Sequence, residues 1–62
     1  MREYLMKQID DVSKSIEIAR SLLLSCEKEE MEEEAKKWRA VVSERIYFKL
    51  VLQELLEILD NV

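Results

Sequence analysis

The sequence predicts an all-α protein, a two-helix antiparallel hairpin of coiled-coil type. Three observations predict it. Glycine and proline are both absent from the 62 residues, where average usage would supply about seven; the turns and bulges of β folds draw heavily on glycine, Asn and Asp. Glu, Lys, Leu, Arg, Met and Ala, the best helix formers, dominate instead. Apolar residues also recur at alternating steps of three and four, the period of a helical seam.

The first helix carries the cleaner pattern. Leu5, Ile9, Val12, Ile16, Ala19, Leu23 and Cys26 follow one another at that alternation, the a/d spacing of a coiled coil. Glu3 with Lys7 and Asp10 with Lys14 are acid-first pairs one turn apart, the favourable order. These residues predict a helix over roughly 2–26. A second track runs through Trp38, Val41, Arg45, Phe48, Leu52, Leu55, Leu59 and Val62, with Met31, Ala35, Val42 and Leu56 beside it. It predicts a helix over roughly 30–61 with a wider apolar stripe. Glu32 with Lys36 and Glu33 with Lys37 support its start, and the glutamates suit the positive end of a helix dipole.

Between the two tracks the phase breaks. Continued without interruption, the first seam would run through Glu30, Glu33, Lys37 and Ala40, which are mostly charged. A turn over about 27–30 explains the break, making residues 1–62 a single hairpin domain. One continuous helix of about 90 Å with a skipped residue is the alternative. The turn holds no Gly, Pro, Asn or Asp, and Ser25 is its candidate capping residue.

A turn centred between residues 28 and 29 sets a register. Leu5 then faces Leu52, Ile9 faces Phe48, Val12 faces Arg45, Ile16 faces Val41, Ala19 faces Trp38 and Cys26 faces Met31. In that register helix 2 outruns helix 1. Leu55, Leu56, Leu59 and Val62 are left with few partners, and Ile58 adds to the same end. Arg45, Leu52, Leu55, Leu56, Leu59 and Val62 are therefore the expected partner-binding residues, since an apolar patch of this kind marks an interaction site.

Size points the same way. A domain this small buries only about 60% of the surface its unfolded chain exposes. Small folds add a disulfide, a metal or a partner. Cys26 is the single cysteine, and histidine is absent, so no intrachain disulfide can form and the commonest transition-metal ligand is missing. No cofactor is expected. A homo-oligomer or a protein target remains, and a two-fold dimer closing a four-helix bundle is the simplest solution.

Charge narrows the function. The net charge is −4, concentrated in residues 27–37, where six Glu and three Lys leave −3. No broad basic surface attracts a phosphate backbone, so nucleic acid is not expected as a direct partner. The acidic cluster Glu27, Glu29, Glu30, Glu32, Glu33 and Glu34 suits either a solvated helical turn or an acidic imitation of nucleic acid. Arg2 is followed by mixed charge, not an apolar core, so no signal peptide is expected. No apolar run exceeds the three residues of Leu22–Leu24, too short to span a membrane. A cytoplasmic protein with a reduced thiol is the expectation.

Catalytic signals are weak. Five serines and Cys26 have no histidine to activate them, which excludes Ser–His and Cys–His nucleophilic catalysis. Glu30-x-x-Glu33 and Glu57-x-x-Asp60 resemble the paired acids of all-α nucleoside-triphosphate pyrophosphohydrolases of the MazG kind, which bind magnesium. A hairpin puts those pairs at opposite ends, about 40 Å apart, and a Glu-rich chain yields such matches by chance. Arg45 sits within an apolar track. It could anchor a partner's carboxylate or an RNA phosphate, or reach Asp10, Asp11 or Glu17 along the core edge. Trp38 and Phe48 are expected in the core, with Tyr4 and Tyr47 off the seam and open to a partner.

In length and design the predicted hairpin resembles the Rop type of plasmid RNA regulator, a hairpin that dimerises into a four-helix bundle. No residue role comes with that resemblance, and helix 1 alternates acids and bases where RNA binding needs a basic face. The reading is a small non-enzymatic helical interaction module, a regulator or inhibitor acting by helix docking and self-association. A nucleic-acid-linked regulator is the alternative, as an RNA-binding bundle or an acidic mimic.

Overall fold

The computed structural model describes all 62 residues. Two helices, α1 (Arg2–Lys28) and α2 (Glu32–Asp60), lie antiparallel and form a rod of 48 × 14 × 11 Å. The hairpin, not the continuous helix, is what the phase break encodes. α1 runs two residues beyond its expected end, and α2 begins two residues later than expected.

The turn shows how a chain without glycine reverses. Glu30 has a positive φ of 59°, in the left-handed region. The Met31 amide donates to the Cys26 carbonyl at 2.9 Å and the Glu30 amide to the Glu27 carbonyl at 3.2 Å. Those two bonds make a Schellman cap, which satisfies carbonyls that the helix end would otherwise orphan. Glycine normally occupies the left-handed position, and a residue with a Cβ there costs about 1–2 kcal/mol. Neither helix has a side-chain bond at its N-cap, which is Met1 for α1 and Met31 for α2. Glu32, Glu33 and Glu34 in the first turn of α2 and Lys28 in the last turn of α1 complement the helix dipoles instead.

Register is fixed at two places. Arg2 Nε donates to Asp60 Oδ1 at 2.8 Å at the open end, and midway Arg45 Nη1 donates to the Ser15 carbonyl at 3.3 Å. Carried along the helices, these contacts set Leu5 opposite Leu56, Ile9 opposite Leu52, Val12 opposite Lys49 and Ile16 opposite Arg45. Toward the turn, Ala19 meets Val42, Leu23 meets Trp38 and Cys26 meets Ala35. Every one of these residues is buried or half-buried. The α1 seam is the one its sequence predicts.

The α2 seam is not. It follows Ala35, Trp38, Val42, Arg45, Lys49, Leu52 and Leu56, while Phe48 and Leu55 face solvent. The cause is the turn, which centres on residue 30 rather than between 28 and 29. The facing pairs therefore shift along α2. The expected overhang disappears with them, because the Arg2–Asp60 pair holds the open ends level.

Packing is thin. Only Leu5, Ile16, Ala19, Ala35, Val42 and Leu52 are buried, and no polar side chain is. The accessible surface is 5144 Å², where a compact protein of this mass would expose roughly 4,200 Å². The radius of gyration is 14.4 Å, against about 10.6 Å for a compact chain of this length.

Candidate interaction surface

The seam divides the rod into two long faces. Beside a and d positions lie the e and g flanks of the heptad. In an antiparallel pair like flanks meet, and two observations place the e flanks together here. Arg39 Nη2 pairs with Glu27 Oε2 at 3.2 Å across the helices. Farther along, Ser13 and Arg20 of α1 share one shallow hollow with Ile46 and Gln53 of α2. This face is mostly charged and polar, interrupted by Met6, Leu24, Ile46 and Leu50.

The g flanks, with the c positions beyond them, form the opposite face. From α1 come Tyr4, Ile18 and Leu22, and from α2 come Phe48, Leu55 and Ile58, all exposed. Val41 and Val51 are half-buried between them, and Met1 and Val62, both exposed, lie just outside the helices at the open end. Phe48 is 50% exposed and Ile58 60%. Exposed apolar side chains are ordinary one by one, but a run of them along one flank of a helix is not; on α2 it extends from Val41 to Ile58 with Glu44 within it, while on α1 Gln8, Asp11 and Ser15 separate Tyr4 from Ile18. Asp11 and Glu44 are the acids at its c positions, and Lys37 lies toward the turn.

The expected partner-binding residues divide between seam and surface. Leu52 is buried against α1 and Leu56 is half-buried, so both serve the hairpin itself. Leu55 and Leu59 are exposed, and Val62 is fully so. Leu55 lies on the apolar face, Val62 lies beyond the end of α2, and Leu59 continues the seam at its open end. Exposure here comes from the orientation of α2, not from an overhang. Phe48, expected in the core, is on the surface. Tyr4 and Tyr47 are exposed as expected, and only Tyr4 joins the apolar strip. Phe48 was expected in the core because the wide α2 stripe has two possible centres, Ile58 was expected with the exposed end, and Ile18 and Leu22 were not singled out because they lie off the α1 seam.

Two cations occupy the seam. Arg45 reaches none of Asp10, Asp11 and Glu17; its guanidinium bonds the Ser15 carbonyl, and Ser15 is a g residue. Its charge therefore emerges on the apolar face, near the middle of the rod. Lys49 lines the hollow on the polar face, so its charge leaves on the other side. Both bury an aliphatic stem and keep the head near water. Neither takes part in an ion pair; the three that form are Arg2–Asp60, Lys14–Asp10 and Arg39–Glu27. The Asp10–Lys14 pair closes at 3.1 Å. Its hydrogen bond and the Asp10 charge raise the Lys14 pKa above its ordinary value. The pairs Glu3–Lys7, Glu32–Lys36 and Glu33–Lys37 do not close.

Around the turn, Glu27, Glu30, Glu32 and Glu33 border an open hollow together with Lys36 and Arg39. Glu57 and Asp60 lie at the other end of the 48 Å rod. The two acid pairs of the pyrophosphohydrolase pattern are thus at opposite ends of the molecule. No three acidic or thiol side chains gather closely enough to hold a metal ion, and no helix is long and apolar enough to cross a membrane. Compared with models of known families, with curated proteins and with solved structures, the chain matches none.

Proposed function

We propose that this chain is a helical protein–protein interaction module without catalytic chemistry, and that it self-associates through its apolar face. Two hairpins, pressed together by those faces, close a four-helix bundle with the strip as its second core layer. Docking to other proteins, as a small regulator or inhibitor, would use the same helix-to-helix packing.

The supporting observation is the one-sided apolar strip, and its size agrees. The hairpin exposes roughly 900 Å² more than a compact protein of its mass. A standard interface covers about 800 Å² on each partner. One partner of similar size, seated on one face, would absorb the excess. Sedimentation equilibrium over a concentration series tests the proposal. A dimer mass at micromolar concentration is the expected result, and a monomer persisting into the millimolar range would sink it.

A further inference from the structure

We propose that the two copies join with their turns at the same end, so that α1 of each hairpin lies over α2 of the other. This rests on the self-association proposed above. A two-fold axis that presses the same face of two rods together must lie between them. It runs either along the rods, with the turns at one end, or across them, with the turns at opposite ends.

The charges on the apolar face choose between these. Arg45 lies opposite Ile16, near the middle of α1, and its head emerges on this face beside Ser15. An axis across the rods, with the faces fully overlapped, sets α2 on α2 and brings the two Arg45 heads together. Neither has an acid partner within its own chain, so two like charges would share a drying interface. The same arrangement places Leu55 on Lys37, Ile58 on Glu34 and Phe48 on Glu44. Burying a charge against an apolar side chain leaves it unpaired and desolvated.

An axis along the rods avoids the contact between like charges and sets fewer charges against apolar side chains, although Asp11 comes level with Val51 of the other copy and Glu44 with Ile18. It separates the Arg45 heads onto different helix pairs and sets each beside Ser15 of the other copy. Asp11 of that copy, an acid on the same strip, is then about one helical turn away. Tyr4 lies over Ile58, and Leu22 over Val41. The two glutamate-rich turns become neighbours, each carrying −3 over residues 27–37. Their repulsion acts between exposed groups and is largely screened beyond about 8 Å at physiological salt, so added salt should tighten this dimer.

The test is a distance between spin labels. Cys26→Ser removes the native thiol, and Lys28→Cys or Glu3→Cys places one label at the turn end or the open end; both sites are exposed. Helices packed 8–10 Å apart put paired labels at about 15–30 Å in the same-end dimer at either site. In the opposite-end dimer, both distances would approach the 48 Å length of the rod. Light scattering on the same samples reports the mass, and circular dichroism the fold. A dimer with short distances at both sites is the expected result. A dimer with long distances at both overturns the arrangement and leaves the self-association standing. A folded monomer for both labelled chains and for the Cys26→Ser parent overturns both.

Discussion

The two long faces of the hairpin come from the same two helices and differ in what they do with apolar residues. On the polar face, Met6 and Leu24 stand apart among charges, Leu50 shares a shallow hollow with Ile46, and Arg39 ties α2 to Glu27 of α1. On the other face, Val41, Phe48, Val51, Leu55 and Ile58 run along α2, with Tyr4 of α1 beside Ile58 and with Ile18 and Leu22 toward the turn beside Val41. The side chains are equally hydrophobic, and some are equally exposed: Leu50 by 53% and Leu55 by 45%. The difference is contiguity. An isolated leucine gains little from a partner, whereas a strip lets one docking event remove many side chains from water at about 25 cal/mol per Å².

Changes aimed at the seam, at either face or at neither sharpen this contrast. The largest effect falls beneath both faces. Leu52 is buried opposite Ile9, and Leu52→Ala should cost about 2–5 kcal/mol. In a rod with six buried residues that should abolish cooperative melting, followed by circular dichroism. Retention of the wild-type transition would mean that the seam does not carry the fold.

The two seam cations offer a matched pair of intermediate size. Arg45→Met and Lys49→Met each keep the apolar stem and remove a charge from the seam; Lys49→Met should raise stability by about 1 kcal/mol, and Arg45→Met should raise it less, because it also gives up the hydrogen bond to the Ser15 carbonyl. Only Arg45 emerges on the apolar face, so only Arg45→Met should also change the affinity of the dimer. An equal change from Lys49→Met, measured by sedimentation, would break the distinction between the faces.

The smallest change belongs to neither face. Glu30→Gly relieves the left-handed residue in the turn and should add about 1 kcal/mol. For a chain of this size that corresponds to a rise of roughly 4–8 °C in Tm, with no change in dimer affinity at fixed stability. A fall in Tm would mean that the Glu30 side chain contributes more than its backbone costs.

The α1 half of the fold was legible because its stripe is one residue wide. Leu5 through Cys26 admit a single seam. The α2 stripe is two tracks wide, one through Val42, Lys49 and Leu56 and one through Val41, Phe48 and Leu55. Periodicity does not say which track faces α1. The turn decides it, and the turn hides its own position, since Glu30 takes the role of glycine in a row of glutamates. An error of one to two residues there moved Arg45 from Val12 to Ile16 and turned Phe48 from core to surface. It also replaced an expected overhang with a lateral face. Lys49 was invisible as a seam residue because a lysine breaks the apolar pattern by which a seam is recognised.

The most direct measurement compares Leu55→Glu with Leu50→Glu by sedimentation equilibrium, beside the wild type. Both replace an exposed leucine of α2 by the same charge, five residues apart on opposite faces. Leu55→Glu should weaken the dimer by at least about 30-fold, from lost burial and a desolvated carboxylate. Leu50→Glu should leave it within about threefold, as surface changes usually do. Equal effects, or a larger loss from Leu50→Glu, would contradict the assignment of the interface to the apolar face.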